Sequence, residues 1–214
     1  MQEQNFRELY LQTLEKMSDL TERQKKVLQA ALELFAAQGF EATTSAQIAE
    51  KAGVSVGSVY HHFPNKQAIL IAVLTPVFRG TLESVADEFM TNTFSRGFVT
   101  LDEFITNVVR DRMTYIHDNA TELKLMFGQL LTNVQFVEQI KAFFGKQLEL
   151  FVLPTIERFK KEGKIADLPN EIILQLTLGT IVAYFGKLIL NIESLPIEQE
   201  INIISTLLIK ALRP

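Results

Sequence analysis

The stretch Thr44–Phe63, TSAQIAEKAGVSVGSVYHHF, predicts two short helices joined by a tight turn. In its first half, apolar residues recur at helical spacing and give the first helix one narrow apolar face. Gly53 follows at the place where helices commonly end in a left-handed backbone conformation. Ser55 then occupies the N-cap position of a second helix, which Val59 and Phe63, four residues apart, would anchor to the same core.

The second helix of this pair directs small and polar residues away from the core. These residues are Val56, Gly57, Ser58, Tyr60 and His61. The major groove of DNA accepts a helix with such an outer face when the helix crosses a first one. The stretch is therefore typical of a DNA-binding helix-turn-helix, and the alternative is a short surface helix without a partner.

From Thr21 to about Leu74 the chain resembles the DNA-binding region of the TetR family of bacterial transcriptional regulators. The matching positions are Ala30, Leu34, Phe35, Gly39, Phe40, Thr43, Thr44, Ile48, Ala49, Ala52, Gly53, Val54, Ser55, Gly57, Tyr60, Phe63, Lys66 and Ile69. The rest of the chain carries no motif that we can match. The resemblance implies a homodimer that binds a pseudo-palindromic operator, usually as a repressor, and releases it when a small ligand binds the other domain.

By this resemblance, Tyr60 and His61 should face the phosphates beside the major groove, where a hydroxyl and an imidazole N–H are suitable donors. Lys66 adds positive charge in the first turn of the following helix. Thr44 or Ser45 should donate to phosphate from the start of the first helix.

The base readers are expected at the start of the second helix, after its cap Ser55. Val56 would meet a thymine methyl group, and Ser58 would bond to a base edge. Gly57 would let the helix approach closely. This reader set is small, so it does not define an operator sequence.

The charge of the chain restricts how it can hold DNA. The net charge is −4, and the segment Leu20–Leu70 has nearly balanced charges. Its basic residues are Arg23, Lys25, Lys26, Lys51 and Lys66, and its acidic residues are Glu22, Glu33, Glu41 and Glu50. Because this balance is only slightly positive, phosphate contacts must come from a few placed side chains, backbone N–H groups and helix N-termini.

Other classes of function find little support. The chain has no cysteine, which removes disulfides, thiolate metal sites and cysteine nucleophiles and fits a reducing cytoplasm. Its three histidines lack metal-ligand spacing, so we expect no metal and no cofactor. No catalytic triad, carboxylate pair or phosphate loop indicates an enzyme. The N-terminus lacks the apolar core of a signal peptide, so we expect a cytoplasmic protein.

Apolar residues recur at intervals of three and four along the whole chain, which predicts an all-α protein of nine or ten helices. We expect a three-helix DNA-binding head at residues 21–74 and a larger helical effector-binding and dimerisation domain at 75–214. We expect residues 1–20 to be an N-terminal extension, either a helix that packs on the body or a segment that frays. Pro76 and Pro154 predict kinks in their helices.

The larger domain offers candidate ligand contacts. Arg112 falls within an apolar helical stripe, where it needs either an acidic partner or an anionic effector. The phenylalanine-rich segment that follows suits a hydrophobic effector pocket and suits an ordinary helical core equally well. The candidate ligand contacts are Arg112, Tyr115, Phe127, Asn133, Phe144 and Tyr184.

The last two predicted helices favour self-association. The first has small residues on one side and bulky residues, among them Leu178, on the side expected to face its own core. The second is apolar over about half its circumference. The expected contacts are Gly179, Ala183, Gly186, Ile201, Ile204 and Leu208. Two such helices fit a four-helix interface made by two-fold symmetry, and the alternative is a buried pair within one subunit.

The sequence thus predicts a dimeric DNA-binding regulator, in the usual case a repressor that a small, largely apolar ligand releases from its operator. The ligand would act by favouring body conformations that give the two heads the wrong spacing for DNA. The rival functions are a helical enzyme or small-molecule carrier and a dimeric scaffold that does not bind DNA.

Overall fold

The computed structural model describes residues 6–76, 89, 93, 98–130, 134–193 and 195–214, with the backbone alone at 125, 129, 130, 135, 136 and 139. These residues form α-helices and connections, without a strand among them, so the predicted all-α class is confirmed. The helices are α1 (Phe6–Lys16), α2 (Glu22–Gln38), α3 (Ser45–Ala52), α4 (Val56–His62), α5 (Lys66–Pro76), α6 (Leu101–Asp118), α7 (Ala120–Leu130), α8 (Val134–Gln147), α9 (Leu153–Lys161), α10 (Asn170–Ile189) and α11 (Ile197–Leu212).

The chain divides into two compact units. Residues 1–85 and 121–137 form the first, which we call the head unit, and residues 86–120 and 138–214 form the second, the body unit. The functional boundaries at residues 20 and 74 stay a prediction.

Helix α2 is central to the head unit and packs against α1, α3, α4 and α5. It begins at a capping box, in which the Thr21 side chain accepts from Gln24 N and the Gln24 side chain accepts from Thr21 N. It ends at Gly39, whose φ of 85° is a conformation that glycine adopts readily because it has no Cβ atom. Phe40 then folds back onto Phe35 in an edge-to-face contact with ring centroids 5.2 Å apart.

The N-terminal extension contains a helix, α1, which is part of the head unit. It contacts α2 and α5 and buries Phe6, Leu9, Tyr10 and Leu14. Its C-terminus is capped from outside, because the ammonium of Lys25 donates to the carbonyl of Glu15 at 2.8 Å. Apolar burial fixes this helix, and sequence periodicity alone does not say which surface receives it.

In the body unit, α6 packs against both α10 and α11. The core between them is apolar and includes the fully buried side chains of Val109, Met113, Ile201 and Leu212. Phe159 of α9 joins this core with its ring centroid 5.4 Å from that of Phe104.

Pro154 interrupts its helix as expected. A π-helical segment, Leu148–Val152, precedes α9, and Pro154 lies in the first turn of α9. A proline lacks the N–H of a regular helix and its ring presses on the preceding turn, so a wider turn accommodates it. The structure describes α5 as far as Pro76. The kink predicted there concerns residues that follow, which lie outside the described part of the chain.

Within the described residues, α10 is the one helix that is long and apolar enough to cross a membrane, by length and composition only. Its mean hydropathy over the most apolar window is 1.7, and 22% of that window is buried. Apolar helices of soluble proteins meet the same criterion, so this finding is weak evidence that α10 spans a membrane.

Candidate DNA-binding site

The predicted caps of the helix-turn-helix are confirmed. Thr44 is the N-cap of α3, and its hydroxyl oxygen accepts from the N–H of Gln47 at 3.2 Å. Gly53 ends α3 in the left-handed region with φ of 68°. Ser55 is the N-cap of α4, and its hydroxyl oxygen accepts from the N–H of Ser58 at 3.1 Å. Three local signals therefore set the angle between the two helices.

Helix α4 buries one side and exposes the other, as its sequence predicts. Val59 is fully buried and Phe63 nearly so. On the opposite side, half of the Tyr60 side chain (50%) and 40% of Val56 remain exposed, and His61 is exposed as well. These exposed side chains lie on a helix of seven residues.

The backbone at Gly57 has open space beside it. A Cβ atom built there would meet a single neighbour, the Ser55 hydroxyl oxygen at 4.0 Å. No packing within the described protein requires a glycine at this position. The glycine therefore leaves the backbone of α4 accessible to another molecule at this position.

The two hydroxyl residues that start α3 differ in access. Thr44 is exposed, and its hydroxyl donates to the Gln47 side-chain oxygen at 3.1 Å. Ser45 is buried, with 8% of its surface accessible. Of the pair named from the sequence, Thr44 is the residue that phosphate can reach.

Lys66 is engaged inside the head unit, and the contact of its charge with phosphate stays a prediction. Its ammonium donates to the carbonyl of Phe40 at 2.8 Å and to the carbonyl of Glu41 at 3.2 Å. The same nitrogen lies 4.3 Å from the centroid of the Phe40 ring. Lys66 thus ties the first turn of α5 to the connection between α2 and α3. The sequence concealed this because helix spacing does not show where a flexible side chain ends.

Lys51 of α3 is also internally paired. Glu33 of α2 forms an ion pair with Lys51 at 2.9 Å and another with Arg7 of α1. Partial burial tends to raise the pKa of Glu33, but the two cations outweigh it and hold that pKa below its ordinary value. Glu33 therefore links three helices of the head unit through charge.

In the body unit, Arg112 has the partners that burial demands. Its Nε donates to Asp111 at 2.7 Å, and its guanidinium carbon lies 3.9 Å from the centroid of the Phe89 ring. The Tyr115 ring is also close, at 5.3 Å from the same carbon. This environment supports the structural alternative that the sequence left open, an ion pair instead of a ligand contact.

Tyr184 is buried, and its hydroxyl bonds to the Nδ1 atom of His117 at 2.9 Å. Burial and the nearby charges of Glu200 and Asp118 raise the pKa of Tyr184. His117 is itself exposed, and the sequence did not indicate this pair. Since the two residues are 67 positions apart, no local pattern indicated it.

The other candidate ligand contacts are scattered. Phe127 belongs to the head unit and is half-buried, whereas Phe144 belongs to the body unit and is 50% exposed. Asn133 lies outside the described residues. Among the described residues, no group of three or more His, Cys, Asp or Glu side chains is arranged to hold a metal ion.

The terminal helices expose faces that differ in part from those predicted. On α10, Gly179 and Ala183 are exposed and Gly186 is half-buried, but Leu178 is 48% exposed instead of facing the core. Further exposed apolar residues on α10 are Ile172, Leu176 and Val182.

On α11, the predicted partner contacts Ile201 and Leu208 are wrong, because both side chains are buried within their own subunit. Ile204 is half-buried and packs beside the same core. The exposed apolar residues are instead Ile203 and Leu207, the latter 59% exposed. When apolar residues cover half the circumference of a helix, the sequence pattern does not show which of them are buried in the core of the subunit.

Residues 27–73 match the family model of bacterial regulatory proteins of the tetR family. That match spans the buried core of α2, both helices of the helix-turn-helix and most of α5. The chain belongs to the TetR family. It is a DNA-binding transcriptional regulator of the TetR type.

The similarity to TetR-family proteins extends beyond the head. The chain is 28% identical over 165 residues to the transcriptional regulator RutR of Escherichia coli K12, covering 74% of this chain and 72% of RutR. It is 32% identical over 134 residues to the transcriptional repressor KstR2 of Rhodococcus jostii, covering 53% and 66%. The solved structure of FadR from Bacillus subtilis in complex with stearoyl-CoA shares the fold, with a TM-score of 0.60, 20% identity and coverage of 86% and 96%.

Proposed function

We propose that this TetR-family protein is a homodimeric repressor that binds a pseudo-palindromic operator and leaves it when a small, largely apolar ligand binds the body. The proposal includes a cytoplasmic location and no catalytic activity. The strongest support is the helix pair α3–α4, whose caps fix its geometry and whose second helix exposes Val56, Gly57, Tyr60 and His61.

The chemistry of this face fits a major groove. Val56 offers a methyl-sized contact to thymine, and Ser58 offers a hydroxyl to a base edge. Tyr60 and His61 supply donors to phosphate, and Ser55 holds the start of the helix. Thr44 would donate to phosphate only by giving up its hydroxyl bond to Gln47. With Lys66 engaged elsewhere, neutral donors carry a larger share of the phosphate contacts than the sequence suggested.

The exposed apolar residues of α10 and α11 support the dimer. Leu176 and Val182 of α10 and Ile203 and Leu207 of α11 are each more than a third exposed, and the two helices are in contact. Gly179 and Ala183 lie among them and permit close approach of another backbone. A second copy related by a two-fold axis would cover both faces.

The ligand proposal rests on the body. The shared fold with a regulator solved in complex with stearoyl-CoA supports an effector with a long apolar part. Tyr115 and Phe144, which both belong to the body unit, stay candidate contacts for it. Arg112 would meet an acidic group only if the ligand displaced Asp111, and Tyr184 only if the ligand displaced His117.

The proposal is tested by selecting duplexes from a randomised library with the purified full chain. We expect recovery of related sequences with two-fold symmetry, bound by a dimer in analytical ultracentrifugation. Tyr60→Phe, which removes one hydroxyl, should weaken binding to all duplexes alike. Recovery of no common sequence, together with salt-independent or absent duplex binding, would favour the carrier or scaffold instead.

A further inference from the structure

Gln47 occupies the third residue of α3, and its side-chain oxygen is surrounded by donors. The Thr44 N–H donates to it at 2.9 Å, and the Thr44 hydroxyl donates at 3.1 Å. The Nε2 group of Gln38, at the end of α2, donates at 3.3 Å. Exchanging the oxygen and nitrogen of the Gln47 amide would set an NH₂ group against these donors, so the network fixes the orientation of the amide.

The amide nitrogen of Gln47 is consequently directed away from the cap. Its side chain is exposed, and among the residues that the structure describes the nitrogen has no hydrogen-bond acceptor. An NH₂ group can donate two hydrogen bonds. This donor lies on the first helix of the helix-turn-helix, the helix that crosses the DNA backbone in such motifs.

The basic residues around the helix-turn-helix leave phosphate contacts to other groups. Lys51 pairs with Glu33, and Lys66 donates to two backbone carbonyls. Lys25 is buried and bound to the end of α1. The other two cations between Leu20 and Leu70, Arg23 and Lys26, lie at the start of α2, roughly 20 Å along that helix from Gln38. Near α3, a fixed neutral donor is therefore the available kind of contact.

We propose that Gln47 is a phosphate-contacting residue of the DNA-binding surface and donates from Nε2 to a phosphate oxygen of the strand that α3 crosses. This inference rests on the proposed function and adds a residue to it. A single donor to phosphate positions the protein without reading sequence. Its loss should therefore weaken binding to every duplex by a similar factor.

Gln47→Glu tests this role without removing the cap. A glutamate at the third helical position completes a capping box as glutamine does, and its charge favours a helix N-terminus. The substitution replaces the donor by an acceptor and places a negative charge against phosphate. We expect at least a tenfold loss of affinity, with thermal stability unchanged or raised.

The chain offers a matched control in the capping box of α2. Gln24 accepts from the Thr21 N–H at 2.9 Å and from the Thr21 hydroxyl at 2.9 Å, in the same arrangement as Gln47 and Thr44. Gln24→Glu makes the same chemical change at the far end of α2, more than a Debye length of about 8 Å away at physiological salt. We expect it to change affinity less than twofold.

Gln47→Lys provides a gain of contact that a purely structural role would not produce. A lysine cannot accept the cap bonds, so the head loses some stability. It can, however, neutralise the phosphate, and the slope of log K against log salt concentration should steepen by about one per head.

The probes are a duplex of about 30 base pairs selected by the wild-type protein and an unrelated duplex of equal length. The inference is overturned if wild type and Gln47→Glu bind equally, or if Gln47→Glu and Gln24→Glu lose equal affinity. In both cases the binding of the wild-type protein still supports the proposed function. An unchanged salt slope in Gln47→Lys overturns it as well. If the wild-type chain binds neither duplex, the proposed function fails first and this inference with it.

Discussion

The helix pair α3–α4 and the helix pair α10–α11 show how differently two parts of one chain are encoded. In the first pair, short helices carry an N-cap or C-cap at each junction, and the sequence predicted their bounds and their faces. In the second pair the sequence predicted two helices, but part of the exposed face was assigned incorrectly. The difference teaches that caps are local signals, whereas the buried side of a helix that is apolar all round depends on its neighbours.

The largest effect is expected from Leu207→Asp, which tests the outer face of α11. A charge placed in an apolar interface of both subunits is strongly unfavourable. We expect dissociation to monomers in ultracentrifugation and a loss of operator affinity of more than about 100-fold, because single heads lose the linkage of two half-sites.

Asn202→Asp is the matched control for Leu207→Asp, since Asn202 is exposed on the polar side of the same helix. It should leave the dimer intact. A Leu207→Asp protein that remains dimeric would show that α11 does not contribute its exposed apolar residues to the interface.

The next effect is expected from Lys66→Met, which sharpens the assignment of Lys66 to the interior of the head. Methionine keeps an apolar stem over Phe40 but loses two charge-assisted hydrogen bonds to backbone carbonyls. We expect the free energy of unfolding of the head to fall by about 1–2 kcal/mol, measured by urea titration and by hydrogen exchange of the α2–α5 amides in the full chain.

The salt dependence of DNA binding separates the two roles of Lys66. If the residue is structural, the slope of log K against log salt for Lys66→Met matches that of wild type. A slope shallower by about one per head would return Lys66 to the phosphate contacts that the sequence predicted. Lys66→Arg, which retains donors and a planar group over Phe40, should restore stability.

Gly57→Ala should move stability and affinity in opposite directions. The free protein has space for the added methyl, and alanine is the better helix former, so stability should rise by up to about 1 kcal/mol. If α4 approaches the bases closely at Gly57, operator affinity should fall about tenfold, or roughly 1.4 kcal/mol. Gel-shift titration and thermal unfolding of the same preparation measure both. An affinity equal to that of wild type would show that α4 does not approach the bases closely at Gly57.

The smallest effect concerns Glu33 and pH. The net cationic influence of Lys51 and Arg7 holds its pKa below the ordinary value, so its stabilising contribution is present above the unfolded-state pKa. That contribution is lost as pH falls through the lower folded-state pKa. Because the partners are partly exposed, we expect less than about 1 kcal/mol. Urea titrations of wild type and Glu33→Gln should converge at acidic pH, with Glu50→Gln as control; parallel curves would contradict the assignment.

Much of the candidate site was predictable because its signals are close in sequence. Thr44, Gly53 and Ser55 act on backbone groups within a few residues, and Val59 and Phe63 share one face by helix geometry alone. The role of Lys66 was not predictable, because its partners Phe40 and Glu41 lie 26 and 25 positions away in the chain. The pairing of His117 with Tyr184 and the docking of α1 on the head had no local signal for the same reason.

The sequence by itself determined the helices, their ends, the helix-turn-helix and the TetR-type head, since hydrogen bonds and side-chain caps of short range define all of them. The tertiary structure decided which groups near the helix-turn-helix remain available to DNA and which apolar residues of α10 and α11 remain exposed. Those outcomes depend on ion pairs, long side chains and packing surfaces that meet only after the chain has folded. A residue's type sets what it can bind, and the fold determines whether a partner within the chain already binds it.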